Sequence, residues 1–111
     1  MRKTIESVIN RYGITVEVWH LGVSYWTKAF FQPIKAKSAK MISTPLGMAP
    51  QGDYQYMGPA DLEIQADDGI VIDGAEYLVT RAEEIRDEQG VVYRWAVCKR
   101  KGGMDTWVRP I

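Results

Sequence analysis

The residue types that most often perform catalysis are scarce in this sequence. Its 111 residues include one histidine, His20, and one cysteine, Cys98. A histidine metal site, a Cys–His pair or a Ser–His pair would require His20, and no local motif surrounds it. We therefore interpret His20 as a surface residue at the end of a strand. Lys99 and Arg100 follow Cys98 and would lower the pKa of its thiol, but we favour a thiol packed within a strand.

Acidic residues form the densest group of candidate metal ligands. The dipeptides Asp68-Gly69 and Asp73-Gly74 lie close to three further carboxylates within residues 61–67. Calcium sites use such oxygen ligands, but the spacing of the EF-hand loop is absent. Asp-Gly pairs are also typical of tight turns, which explains both dipeptides without a bound ion. We therefore expect no metal, no cofactor and no enzymatic activity.

Two basic clusters raise the question of nucleic-acid binding. A polar segment begins with Lys35, Lys37 and Lys40, and residues 99–101 are three consecutive basic residues. With four tryptophans and six tyrosines, such clusters are compatible with a barrel that binds single strands. Eleven acidic residues within residues 53–93 would repel phosphates wherever they share a face with these basic residues. Solvated surface charge is therefore the favoured interpretation of both clusters.

The net charge of the chain is zero, but the charges are separated along it. Residues 1–52 carry a net charge of +5, residues 53–93 of −9 and residues 94–111 of +4. A neutral total argues against bulk attraction to nucleic acid or anionic lipid. One cysteine excludes an internal disulfide framework, and no uncharged run approaches the length of a membrane-spanning helix. We expect a soluble single domain of cytoplasmic origin with no membrane contact.

Hydrophobic periodicity predicts a short helix over residues 2–12. Ile5, Val8, Ile9 and Tyr12 have the spacing of one helix face, and a glycine follows them. A helix of about three turns is too short to be stable alone. Its apolar stripe must therefore dock on the rest of the protein or on a neighbour.

After the helix the periodicity becomes that of β-strands. Apolar residues alternate over residues 14–34, which predicts two strands separated at Gly22. Residues 35–52 are rich in Ser, Pro and Gly and predict a long loop. Residues 53–101 predict a β-meander, and residues 102–111 form a C-terminal tail. The expected fold is mainly β, a small antiparallel β-barrel or meander with a short N-terminal helix and a long loop.

Alternation separates the side chains of the final strand of the meander into two faces. One face carries Val91, Tyr93, Trp95 and Val97, while Arg94, Cys98 and Arg100 point the other way.

Four short motifs resemble a known family. They are FFQPI (residues 30–34), YQYMGP (54–59), DGAEYLV (73–79) and VYRWAV (92–97). Together they resemble small proteins encoded by prophages of Gram-positive bacteria, in the neck region between the capsid and tail genes. More broadly, the chain is similar to the head–tail connector (stopper or head-completion) family of long-tailed phages. The likeness covers about residues 28–100.

The resemblance implies a structural virion protein whose small β-barrel assembles with copies of itself as a ring in the phage neck. The ring would be assembled in the host cytoplasm and would join the portal or adaptor ring to tail proteins. DNA would pass through it only as cargo. In stopper members a long loop closes the channel, so the candidate gating residues are Lys35, Lys37, Lys40, Gly47 and Gly52. A tail-completion or tail-terminator ring protein is the nearest alternative, and a single-stranded nucleic-acid-binding β-barrel is the alternative from another class.

The charge partition suggests how such subunits would meet. Opposite charges on different faces of one subunit suit head-to-tail contacts, which close into rings when the rotation permits. The candidate inter-subunit contacts are Glu83, Glu84, Asp87, Glu88, Lys99, Arg100 and Lys101.

Overall fold

One helix and eight strands account for most of the described chain. The structure, a computed structural model, describes residues 2–34, 41–44, 47–50 and 53–101. In chain order the elements are α1 (Arg2–Tyr12), β1 (Ile14–His20), β2 (Val23–Pro33), β3 (Met41–Thr44), β4 (Gly47–Pro50), β5 (Tyr54–Pro59), β6 (Gly69–Ile72), β7 (Ala75–Asp87) and β8 (Gly90–Arg100).

Six of the strands close into an antiparallel barrel. Their order is β1-β2-β5-β8-β7-β6, and β6 pairs with β1 to complete the circle. Two-residue turns join β1 to β2, β6 to β7 and β7 to β8, so these pairs form directly along the chain. Closure requires β5 to insert between β2 and β8, which removes the sheet edges that an open meander would expose. The predicted fold class, mainly β with a barrel and a short N-terminal helix, is confirmed.

The barrel interior is filled by apolar side chains from all six strands. This cluster consists of Val16, Val18, Ala29, Tyr56, Ile64, Ile70, Tyr77, Val79, Ala96 and Cys98. Tyr56 is the largest fully buried side chain among them. Its ring extends over Gly58, where a Cβ atom would overlap the Tyr56 hydroxyl. Glycine is therefore required at position 58 by the packing of the tyrosine.

A second apolar cluster covers the opposite face of β8. Trp95 and Val97 are each 1% exposed and pack against Ile34, with Ile85 and Tyr93 at the margin. The indole Nε1–H of Trp95 also donates a hydrogen bond to the side chain of Gln55, at 3.2 Å. Because the inner face of β8 lines the barrel, this strand is buried on both sides.

Helix α1 docks only half of its predicted apolar stripe. It contacts β2, β5 and β8, and Ile9 is 1% exposed. The Gly13 N–H donates to the Ile9 carbonyl and ends the helix, in the close space beside Ala29 where a side chain would not fit. Val8 and Tyr12 remain 40% and 66% exposed, so the described chain covers only part of the stripe that we expected to dock on the protein or on a neighbour. Within the described residues, no helix combines the length and hydropathy needed to cross a bilayer.

The segment predicted as a long loop contains a small hairpin. Strands β3 and β4 pair in antiparallel fashion from Met41↔Pro50 to Thr44↔Gly47 and form a separate two-stranded sheet. The prediction of a loop without secondary structure over residues 35–52 was therefore wrong for these eight residues. That prediction rested on the loop-like composition of the segment, whereas Gly47 and Pro50 lie at the start and the end of the paired strand β4.

Candidate interaction surfaces

The β1–β2 hairpin exposes four large apolar side chains. Trp19 points away from the barrel interior because its neighbour Val18 is fully buried inside, and Trp26 is 66% exposed on the same outer face. Leu21 and Val23, at the tip, are 88% and 66% exposed. We call Trp19, Leu21, Val23 and Trp26 the hairpin surface. Trp19 and Trp26 are diagonal neighbours across the two strands, Leu21 lies in the turn beyond them, and Val23, which pairs with His20, lies on the other face of the tip. Grouped apolar exposure is typical of a contact surface.

The turn at the tip of this hairpin has an unfavourable residue at its first position. Leu21 has a φ of 52° and Gly22 a φ of 82°, so both lie in the left-handed region. Two-residue turns of this type favour Asn, Asp or Gly there, because a larger side chain collides with the backbone. Leu21 is therefore both strained and solvent-exposed, and neither property stabilises the isolated barrel.

Beside the hairpin surface, a groove crosses the outer face of β1, β6 and β7. Trp19 pairs with Gly69, whose missing side chain leaves space beside the indole, and the groove has a volume of about 410 Å³. Glu17 and Glu76 both line it. The Glu76 carboxylate lies 3.7 Å from the ammonium group of Lys101, whereas Glu17 forms no ion pair within residues 2–34 and 53–101. Lys101 also lines the groove and offsets the charge of Glu76, so the groove is aromatic and its net negative charge comes from Glu17.

A second exposed patch lies where α1 leads into β1. Val8 and Tyr12 are one helical turn apart, and Ile14 beyond them is 43% exposed. The Arg11 guanidinium lies 6.0 Å from the centre of the Tyr12 ring, and it pairs with no carboxylate among the described residues. We call Val8, Arg11, Tyr12 and Ile14 the helix surface. In contrast to the groove, it is apolar and basic.

His20 has a structural partner that the sequence analysis did not find. Its Nδ1 atom lies 2.8 Å from Oδ1 of Asp68, whose side chain is 5% exposed. The same carboxylate accepts the Gln65 N–H at 2.8 Å, and the Asp68 carbonyl accepts the Val79 N–H at 2.9 Å. This arrangement ties the segment before β6 to β1 and β7, so His20 is not the simple surface histidine we expected. In the part of the chain that the structure describes, no group of three His, Cys, Asp or Glu residues is placed to hold a metal ion.

Cys98 lies inside the barrel and is not activated. Burial disfavours the thiolate and raises the pKa of the Cys98 thiol to about 12, and the nearby Asp53 adds to this effect. The alternative of a low-pKa thiol beside Lys99 and Arg100 is therefore wrong, because Lys99 lies on the opposite face of β8 and the Arg100 guanidinium lies over the Tyr77 ring, while the Cys98 thiol is buried in the core.

The predicted acidic contact residues lie at one end of the β7–β8 hairpin. Asp87 pairs with Gly90 at the turn, and Glu84 forms ion pairs with Arg86 at 2.9 Å and with Arg94 at 3.2 Å. The hydrogen bond from Arg86 holds the pKa of the Glu84 carboxyl below its usual value. Glu84 is therefore partly neutralised by its own chain. The remaining acids of this set, all exposed at the same end, are Glu83, Asp87 and Glu88.

The predicted basic contact residues lie at the other end of the same hairpin. Arg100 pairs with Tyr77 in the strand ladder, and its guanidinium lies 5.7 Å from the centre of the Tyr77 ring. Lys99 is exposed, and Lys101 pairs with Glu76. Ten residues of extended strand, roughly 33 Å, separate this end from the acidic turn. The two predicted sets therefore form separate surfaces of opposite charge.

Most of the predicted gating residues fall outside the described part of the chain. Gly47 begins β4 and pairs with Thr44. The others, outside the described residues, are Lys35, Lys37, Lys40 and Gly52.

No family model matches the chain, and no curated protein is significantly similar to it. A functional interpretation therefore depends on the surfaces of the chain itself and on the resemblance of its motifs.

The hairpin surface is the feature that the sequence analysis missed. A signal for it was present, since Trp19 alternates with the inward-facing positions of β1 and Trp26 pairs with the charged Glu17. Alternation alone places Trp19 outside the barrel. Whether another element covers that face depends on contacts between distant parts of the chain, so the exposure itself could not be predicted.

Proposed function

We propose that the protein is a structural component of the phage neck, where its copies form a ring that joins the portal or adaptor ring to the tail. One observation carries this proposal: the barrel has a filled interior and yet exposes two separate apolar surfaces. Monomeric soluble proteins rarely expose large contiguous apolar patches, and such patches mark sites of association. A subunit held between neighbours on two sides uses both surfaces.

The distribution of charge supports the same proposal. The β7–β8 hairpin is acidic at its turn and basic at its other end. Opposite charges at two ends of one subunit favour contacts in which different faces meet, and such contacts close into rings. They also disfavour wrong pairings, because like charges then come together.

The motif resemblance supplies the location and the partners of the proposed ring. The ring lies in the virion neck after assembly in the host cytoplasm, and its partners are further copies, the portal or adaptor ring and tail proteins. DNA crosses it as cargo, and residues 35–52 remain our candidate for the element that closes the channel. The proposal assigns the protein no catalytic activity.

Electron microscopy of the protein mixed with its portal–adaptor complex tests this function. We expect a ring of added density at the tail-side end of the portal, and we expect added salt to reduce its occupancy. Reversal of Glu83, Asp87 and Glu88 to lysine should reduce that occupancy further. Portal complexes that remain bare at all protein concentrations would refute the proposal, and binding to the end of isolated tails instead would favour the tail-terminator alternative.

The two exposed tryptophans give one argument for the nucleic-acid alternative. Trp19 and Trp26 lie on one outer face, as bases require of a stacking platform. Glu17 lies between them on the same face and would repel the phosphates. Binding of a single-stranded oligonucleotide that is lost in Trp26→Ala and falls steeply with salt would favour this alternative over the ring.

A further inference from the structure

The helix surface and the tip of the hairpin surface lie at opposite ends of the β1–β2 pair. Ile14 of the helix surface pairs with Ala29 at one end of the ladder, and His20 pairs with Val23 at the other, while Trp26 pairs with Glu17 midway between them. Six residues of strand, roughly 20 Å, separate the two ends. One copy therefore cannot cover the tip of its own hairpin surface with its own helix surface.

The two surfaces are complementary in charge and similar in apolar character. Arg11 gives the helix surface a cation without a carboxylate partner among the described residues. Glu17 gives the groove beside Trp19 an anion without a cationic partner in the same residues. Each surface also presents at least one exposed aromatic side chain, Tyr12 on the helix and Trp26 on the hairpin.

We infer that the occupant of the hairpin surface is a second copy of this chain, which docks through its helix surface. The inference deepens the proposed function and rests on it, since it names the contact between neighbouring subunits of the ring. Because the two surfaces differ, the contact is head-to-tail and leaves one free surface of each kind on every dimer. Further copies then add in the same sense until the ring closes.

The geometry of Leu21 agrees with this arrangement. A leucine in the left-handed region at an exposed hairpin tip destabilises the free subunit. In the docked pair its side chain leaves water and contacts the apolar residues of the neighbouring helix surface. The same argument accounts for Val8 and Tyr12, the half of the helical stripe that the chain itself does not cover.

Two double variants test the head-to-tail contact. The helix variant carries Arg11→Glu and Tyr12→Ala, and the hairpin variant carries Leu21→Asn and Trp26→Ala. All four positions are exposed, so both full-length variants should keep the amide spectrum of a folded barrel. The matched control is Asp73→Asn, which changes another two-residue turn of left-handed conformation and leaves every residue of both surfaces unchanged.

Self-association is measured by sedimentation velocity from about 10 μM to about 1 mM protein. This range detects association with a Kd as weak as about 1 mM. We expect the wild type and Asp73→Asn to self-associate, and each double variant to associate at least tenfold more weakly. An equimolar mixture of the two variants should form a 1:1 dimer and no larger species, because only one intact surface of each kind is present. A wild type that is monomeric at about 1 mM, a mixture that stays monomeric, or a variant that still self-associates as wild type would each overturn the inference.

A charge reversal isolates the electrostatic part of the contact. Arg11→Glu and Glu17→Lys should each weaken self-association about tenfold, and the two together in one chain should restore most of it. A double reversal that is weaker than either single one would place Arg11 and Glu17 in different contacts and overturn the pairing.

Portal binding separates this inference from the proposed function. If the variants behave as expected but the wild type does not bind portal complexes, the contact stands and the neck function fails. If portal complexes acquire complete rings of either double variant, the neck function stands and this contact is wrong.

Discussion

Replacement of Leu21 by asparagine is expected to stabilise the isolated barrel while weakening its association. Leu21 has a φ of 52° and is 88% exposed, so its side chain makes little contact that the substitution would remove. The left-handed conformation costs an ordinary residue about 1–2 kcal/mol, and asparagine tolerates it far better. We therefore expect the free energy of unfolding to rise by about 1 kcal/mol, which raises Tm by about 4–8 °C in a domain of this size.

Thermal and urea unfolding of the full-length protein, at concentrations where the wild type is monomeric, measure this gain. Asp73, with a φ of 49° before Gly74, provides the matched position in the turn between β6 and β7. Asp73→Asn should change the free energy of unfolding little, and Asp73→Leu should lower it by about 1 kcal/mol. If Leu21→Asn does not raise Tm, or if Asp73→Leu is neutral, our account of strain in these turns is refuted.

Three further substitutions examine the interior and the contact between His20 and the buried Asp68. Burial raises the pKa of the Cys98 thiol to about 12, above the value of about 8.5 in an unfolded chain. The contribution of the neutral thiol to the free energy of unfolding is therefore complete below about pH 8.5 and is lost as the pH rises towards 12. The wild type should therefore lose about 1–2 kcal/mol more than Cys98→Ala between pH 7 and pH 10 in urea titrations, and equal losses would contradict this account. Tyr56→Phe removes a buried hydroxyl that has no hydrogen-bond partner among the described residues, so we expect the free energy of unfolding to rise by about 1–2 kcal/mol. A decrease would show that the hydroxyl has a hydrogen-bond partner. Asp68→Asn weakens the contact with His20 and should lower the free energy of unfolding by about 1.5–3 kcal/mol, whereas an unchanged value would show that the contact does not hold the segment before β6.

The local elements were predictable because their signals are local. The spacing of Ile5 and Ile9 predicts the helix, and alternation predicts the strands that follow it. The dipeptide Asp73-Gly74 predicts a tight turn, and both residues adopt the left-handed conformation that this turn requires. The interior position of Cys98 was also the favoured interpretation, since a thiol within an apolar strand is normally packed.

The contacts of the candidate surfaces were less predictable. Asp68 was interpreted as a turn residue, yet its carboxylate is buried against His20, which is 48 residues away in sequence. The small hairpin of β3 and β4 was hidden by the prolines and glycines of its segment. In both cases the deciding interaction joins residues whose proximity only the folded chain creates.

The helix, most of the strands, their turns and the side chains that share a face all follow from local patterns in the sequence. Periodicity carries that information, because successive side chains take fixed directions from the backbone. The folded chain alone shows which of those faces are covered. Both faces of β8 are buried, since the barrel lies on one side and Ile34 on the other, whereas Tyr12 and Trp26 have no cover within the described chain. The physical reason is that burial depends on barrel closure and on the docking of distant segments, and these same contacts leave exposed the surfaces on which we base the assembly of the protein.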